Sequence, residues 1–320
     1  MFTPSSQIFL HIIVVINLLK VRCMTTNNQI YGAGVYIDPL SDWGWKTLFG
    51  SDRYKEHLIS FINAVYPDLL VKDITYGNNE DPGDTKDSRS SRFDLTCKTE
   101  RDEIVMVEVQ KGEQEFFYER GLWTTSFKIR DQAPVGAWDY HIKGVYSIGI
   151  LTFSPNKMEG YKWNDDNYIH SFSLREDQDY GRMTDRLRFT YISTDKFHKT
   201  VGELNNILEK WVYLLTNLKR LDNRPKELQD RIFERFFKAA EIAKMTPDEQ
   251  QNYRASIMNE NDWNNVVKFA EYKAELKGKE EGKAEGKAET AKNLLALGVD
   301  SATIAKATGL TEEQVLALKD

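Results

Sequence analysis

Apolar side chains recur every three or four residues in several parts of the chain. Over residues 52–66 this spacing predicts an amphipathic helix, which Pro67 ends. Thr246, Pro247 and Glu249 supply the N-cap, the first helical residue and the capping-box acid of a later helix. The same periodicity predicts helices over residues 113–130, 201–218 and 231–244.

Shorter apolar runs predict strands. They cover residues 69–76, 93–98, 103–110, 145–153 and 187–192. Residues 99–102 lie between two of these runs and predict a hairpin turn, whereas residues 77–91 are polar and predict a loop. The first part of the chain therefore has the order helix, three strands, helix, strand.

The hairpin turn fixes which residues face each other. A turn centred near Arg101 pairs residues whose numbers sum to about 202 in an antiparallel ladder, which sets Asp94 opposite Glu108. Because side chains alternate along a strand, Gln110 points to the same face as Glu108. The opposite face is filled by Val105, Val107 and Val109. Three oxygen-bearing side chains therefore converge on one face.

Two carboxylates at cross-strand distance repel each other unless a cation lies between them. Hard oxygen ligands favour Mg²⁺ or Mn²⁺ over softer metals. Such an ion would polarise a phosphoryl oxygen and acidify a bound water, as phosphodiester hydrolysis requires. The alternative interpretation is a pair of solvated surface carboxylates beside a hairpin.

Composition limits where the protein acts and how it could meet a polyanion. Hydrophobic residues make up 41% of the chain, enough for a core, and the formal net charge is −6, so contact with DNA requires a local basic patch. Cys23 and Cys97 cannot form a disulfide framework, which favours a reducing cytoplasm.

The N-terminal residues 1–30 are predicted to lie outside the core. Residues 8–19 are apolar but too few to span a bilayer, and Lys20 and Arg22 follow the run where a secretory signal would carry positive charge before it. We therefore expect no membrane partner. Translation from Met24 would explain this segment as an artefact of the assigned start.

Five segments together resemble the recombination-promoting nuclease and transposase family of the PD-(D/E)XK superfamily. They are SDWGWKTLFG at 41–50, the Asp94 strand, VEVQ at 107–110, STDKF at 193–197 and LEKWVYLL at 208–215. The resemblance covers about residues 36–290. It implies an α/β, restriction-endonuclease-like core with a mixed central sheet flanked by helices, and a Mg²⁺-dependent endonuclease acting on DNA in recombination or mobile elements.

Carried over residue by residue, the resemblance makes Asp94 and Glu108 the metal ligands. Gln110 stands where the superfamily has lysine; because an amide does not titrate near neutrality, it can only orient water or phosphate. Lys46 is the candidate for the missing positive charge, with a phosphate-contacting or surface lysine as the alternative. Arg120 matches a family arginine and contacts DNA or forms a structural ion pair.

The predicted organisation is a nuclease core over 31–220, a helical extension over 221–277, a glycine-containing GKxE linker or frayed helix over 278–289, and a helix-turn-helix-like pair over 290–320. The pair's second helix opens with Glu312 and Glu313, acids that repel phosphate. This favours partner binding or homodimerisation over DNA reading.

Two functions remain open from the sequence. The first is a metal-dependent DNA endonuclease that uses Asp94, Glu108, Gln110 and Lys46. The second is a catalytically silent DNA-binding or protein-interaction module that keeps the nuclease fold. A DDE-type transposase is disfavoured, because that chemistry requires a third dispersed acid.

Overall fold

The computed structural model of the protein describes residues 34–77, 80–81, 91–92, 94–112, 114, 116–134, 136–154 and 166–318. The apolar run at 8–19, the Met24 start and most of the loop predicted at 77–91 lie outside the described residues. The chain divides into two compact units, the first ending at Ser256 and the second beginning at Ile257.

The first unit is built on a mixed six-stranded sheet. Its strands are β1 (Ile74–Tyr76), β4 (Leu95–Thr99), β5 (Ile104–Gln110), β6 (Val145–Leu151), β7 (Ile169–Ser173) and β8 (Leu187–Ser193). Two short strands, β2 (Glu80–Asp81) and β3 (Ser91–Arg92), form a separate ribbon. The sheet order is β1-β4-β5-β6-β8-β7, with β5, β6 and β8 parallel and the outer pairings antiparallel. The predicted mixed sheet is confirmed.

The hairpin register also agrees with the prediction. Leu95 faces Val107 and Cys97 faces Val105, so the residue numbers of each pair sum to 202, as the turn near Arg101 predicts. The turn closes through Asp102, which takes a left-handed backbone conformation with φ of 62°. Asp94 lies one residue before the first pair, at the point where the ladder begins.

Helices flank this sheet. They are α1 (Asp42–Phe49), α2 (Lys55–Val65), α3 (Phe117–Arg130), α4 (Ile207–Asn217) and α5 (Arg231–Ala240), with α6 (Pro247–Ala296) running from the first unit into the second. Helix α3 covers one face of the sheet, where Ile129 packs on a cluster of Ile104, Met106 and Val145. The predicted cap of α6 is confirmed by the bonds that join Thr246 and Glu249.

An aromatic cluster joins α1, α2, α4 and α5. Trp211 on α4 is fully buried, and its ring lies 5.0–6.4 Å from those of its neighbours. These neighbours are Phe49, Phe61, Phe233 and Phe236. Such a cluster removes a large apolar area from water. It fixes α1 firmly, and α1 also borders the candidate site described below.

The second unit contains the end of α6 and two short helices, α7 (Ser301–Thr308) and α8 (Glu312–Leu316). Ala291, Ile304 and Val315, one from each helix, form its buried core. A capping box formed by Thr311 and Gln314 begins α8. Residues 278–289, predicted as a linker or frayed helix, are helical within α6.

None of the helices in the described part of the chain combines the length and apolar character that crossing a bilayer requires.

Candidate active site

Asp94 and Glu108 lie side by side where β4 begins and β5 approaches its end. Asp94 is held by the neighbouring strand, because the Val109 amide of β5 donates a hydrogen bond of 2.7 Å to its Oδ2. That bond fixes one carboxylate oxygen and turns the group toward the Glu108 end of β5. The site is therefore a product of the hairpin register, which brings two acids that are distant in sequence into one place.

The pKa values of both acids are raised, and the charge of Asp94 contributes to the rise at Glu108. Burial raises the pKa of Glu108 to about 7, Arg120 opposes the rise, and the negative charge of Asp94 adds to it. Burial also raises the pKa of Asp94, and the Asp42 carboxylate adds to that rise. The Val109 amide, Lys46 and Arg120 act in the opposite direction. Each acid is thus costly to ionise without additional positive charge.

Arg120 supplies part of that charge from α3. Its guanidinium forms an ion pair with Glu108 and donates a hydrogen bond of 3.2 Å to Oε1 of Gln110. It also donates to Gln114. Arg120 is 40% exposed at its side chain, so it lies between the acids and solvent. The structure therefore brings Arg120 to the two polar residues of β5.

Gln110 is buried, and both ends of its amide have partners. Besides accepting from Arg120, it donates a 2.7 Å hydrogen bond from Nε2 to the Gly112 carbonyl. This arrangement positions the amide between the strand end and the guanidinium. An orienting role for Gln110 toward water or phosphate stays a prediction.

Lys46 lies on α1 and acts on the site at longer range. It forms an ion pair of 2.6 Å with Asp42, one helical turn earlier, and its side chain is 52% exposed. Its charge nonetheless lowers the pKa of Asp94. Asp42 was missed by the sequence analysis. Its signal was the four-residue spacing from Lys46 within a segment that begins with a good helix cap, Ser41.

The wall beside Glu108 depends on a glycine. Gly149 faces Glu108 in the parallel ladder, and a Cβ there would lie 2.6 Å from Cδ1 of the Tyr191 ring. The missing side chain lets Tyr191 fill this space, where its ring also meets Phe117 at 5.7 Å. The aromatic wall keeps Glu108 away from bulk water and so contributes to its burial.

Comparison with protein families identifies the group. Residues 39–270 match the family described as PD-(D/E)XK nuclease family transposase. The chain belongs to this nuclease family. Residues 284–320 match a second family, described as Rpn/YhgA-like nuclease family, C-terminal HTH domain. Neither curated proteins nor solved structures gave a significant match.

PD-(D/E)XK nucleases generally use divalent metal ions, so the donor set of this family member can be tested for fit. Among the described residues, no three His, Cys, Asp or Glu side chains form a metal-binding group. Mg²⁺ commonly takes one or two carboxylates and completes its shell with water and phosphate oxygens. Asp94 and Glu108 fit that pattern, because they are hard oxygen donors whose pKa values are raised chiefly by burial, so that a bound cation would favour their ionised forms.

Proposed function

We propose that the protein is a metal-dependent endonuclease that hydrolyses phosphodiester bonds in DNA during recombination or movement of mobile elements. The observation that carries the proposal is the pair formed by Asp94 and Glu108, which the hairpin register places together and whose pKa values are both raised, chiefly by burial. Membership of a nuclease family described as transposase-related supports the choice of substrate.

In this proposal Asp94 and Glu108 hold Mg²⁺ or Mn²⁺, which when bound supplies polarisation of a phosphoryl oxygen and acidification of water. The Val109 amide keeps the Asp94 carboxylate oriented. Arg120 presents a planar set of donors suited to phosphate oxygens, and Gln110 positions it. Lys46 adds positive charge near Asp94, and the Tyr191 ring limits the access of water to Glu108.

A supercoiled-plasmid cleavage assay with the full-length protein tests the proposal. We expect nicking or linearisation with Mg²⁺ or Mn²⁺, none with EDTA, and none with Asp94→Asn. Asp73→Asn is the matched control, because Asp73 is an exposed aspartate paired with Lys55. Cleavage that persists in Asp94→Asn, or that is equal in EDTA, would refute the assignment.

A second candidate function is a silent DNA-binding module. The ion pair of Arg120 with Glu108, together with the bonded amide of Gln110, supports it, since these contacts give both residues of β5 protein partners without a metal. This alternative predicts DNA binding that is insensitive to EDTA, with no cleavage in either metal ion.

We also propose that the second unit joins two copies of the chain. The support is a group of large apolar side chains exposed along α6, including Trp263, Val266 and Phe269 at 68%, 60% and 58%. Light scattering after size exclusion should give a dimer mass that Trp263→Ser with Phe269→Ser converts to a monomer. A monomer mass for the unaltered protein at all concentrations would refute it.

A further inference from the structure

A cavity of about 400 Å³ lies in the first unit, against one side of α1. Its other walls come from the turn Asp52–Tyr54 and from the end of α5 with the residues that follow it. Four cationic side chains line it: Arg53, Arg235, Lys238 and Lys244. Of the described residues that line it, two carry carboxylates, Glu241 and Glu249. We call this cavity the basic pocket; its charge is opposite in sign to that of the chain as a whole.

The two carboxylates of the basic pocket are already engaged. Glu241 forms an ion pair with Lys244, and Glu249 accepts the Thr246 amide at 2.7 Å as part of the α6 cap. Glu56, outside the lining, forms an ion pair with Arg235, so two of the four cations remain.

Arg53 and Lys238 are the cations most available to a ligand. Arg53 forms no direct ion pair with any residue in the described part of the chain; its guanidinium lies 5.1 Å from the Tyr54 ring centre, and its charge lowers the pKa of Glu249 at longer range. Lys238 pairs with Glu234 at 2.6 Å, but both side chains are exposed, at 62% and 40%. Exposed pairs of this kind contribute little free energy, so an incoming anion can replace the partner.

The aromatic rings of the basic pocket already contact other side chains. Tyr54 has the His57 ring parallel to it at 5.4 Å and the Arg53 guanidinium against it. Trp43 packs against Tyr253 at 5.7 Å. Base stacking requires an open ring face. The chemistry of the pocket therefore suits a phosphate group and not a nucleobase.

Helix α1 connects the basic pocket to the candidate active site. Trp43 and Thr47 line the pocket, while Asp42 and Lys46, on the adjoining stripe of the same helix, influence Asp94. Successive helical residues are rotated by about 100°, so the two stripes are neighbours. A DNA backbone bound at the candidate active site could therefore continue along α1 to the basic pocket.

We propose that the basic pocket binds a backbone phosphate of duplex DNA close to the cleavage site and so positions the substrate without reading its sequence. This inference rests on the proposed function, since it takes DNA as the substrate. Phosphate contacts fix register and orientation and carry no direct sequence information.

The test is a salt titration of DNA binding with the full-length protein. Asp94→Asn in EDTA serves as the parent protein, so that the DNA stays intact, and fluorescence anisotropy follows two duplexes of unrelated sequence. The double variant Arg53→Gln with Lys238→Gln should make the negative slope of log K for DNA binding against log salt shallower by about 1. The loss of affinity should be the same for both duplexes. Arg53→Lys with Lys238→Arg should keep the parent slope.

Arg220→Gln with Lys226→Gln is the matched control, because both cations are exposed and lie outside the pocket lining. If the pocket variant matches this control in slope and affinity, the pocket proposal is overturned while the nuclease proposal stands. If the parent protein binds no duplex even at low salt, DNA as the substrate fails and the pocket proposal fails with it. Thermal unfolding of each variant shows whether a lost slope reflects lost structure.

Discussion

Glu108 and Glu209 are both mostly buried glutamates with one cationic partner, yet the pKa values of their carboxyl groups move in opposite directions. The side chain of Glu108 is 19% exposed beside Arg120, and that of Glu209 is 8% exposed beside Lys199. Burial raises the pKa of Glu108 to about 7. Burial also acts upward on Glu209, but its hydrogen bonds hold the pKa below the usual value.

The difference lies in what surrounds each carboxylate. One oxygen of Glu209 accepts the Asn205 amide at 2.7 Å, and the other accepts from Lys199. Glu108 has the Arg120 pair but also the like charge of Asp94. A structural acid is thus satisfied by its neighbours, whereas an acid suited to holding a cation is left short of positive charge. Burial alone does not distinguish the two.

The largest expected difference is in DNA cleavage. Glu108→Gln should reduce the metal-dependent rate by about a thousandfold or more, because a metal ligand contributes several kcal/mol to stabilising charge in the transition state. The Glu209→Gln variant should cleave DNA at a rate within a few fold of that of the unaltered protein. Single-turnover cleavage of a labelled duplex measures both. Equal losses in the two variants would mean that Glu108 is no more functional than Glu209.

The position of Glu108 beside Asp94 could be predicted from sequence because it follows from a short-range rule. The turn near Arg101 sets the register, and the alternation of side chains sets the face. The ladder from Leu95 to Val107 agrees with that rule. The helix before the hairpin and the helix after it agreed for the same reason, since each has its own hydrophobic period.

Other features could not be predicted because they depend on tertiary contacts. Strand β7 (Ile169–Ser173) has mixed polarity and is stabilised by pairing with β8 at the sheet edge. The influence of Asp42 on Asp94 requires α1 to pack beside the start of β4. No local sequence pattern predicts that packing. Helix α1 itself had a local signal, the Ser41 cap, whose Oγ accepts the Gly44 amide at 3.1 Å.

A smaller loss of cleavage is expected at Gln110. Gln110→Ala removes the acceptor that holds Arg120 and the donor to Gly112. Loss of such a positioning group typically costs about tenfold to a hundredfold. Lys111→Ala is the matched control, because strand alternation points Lys111 away from Glu108. If the Gln110 variant cleaves as fast as the Lys111 variant under single-turnover conditions, Gln110 does not position the site.

For the free energy of unfolding we expect the larger effect at Glu209 and the smaller at Glu108. Glu209→Gln should lower the free energy of unfolding by about 1–2 kcal/mol, because it weakens charge-assisted hydrogen bonds to a buried group. Glu108→Gln should change it by less than about 1 kcal/mol in EDTA, since the loss of the Arg120 pair is offset by removal of a charge that repels Asp94. Urea denaturation measures both, with Asp73→Asn as an exposed control that should show no change.

The smallest effect is the pH dependence of that stability difference. Because the folded-state pKa of Glu209 is depressed, its ionised form stabilises the fold above the unfolded-state pKa of about 4.5. This contribution is lost as the pH falls through the folded-state pKa. The free-energy gap between the unaltered protein and Glu209→Gln should therefore be constant from about pH 8 to 5 and shrink below about pH 4.5. Urea denaturation across this range measures the gap, and a gap that stays constant at acid pH would show that the Glu209 charge does not stabilise the fold.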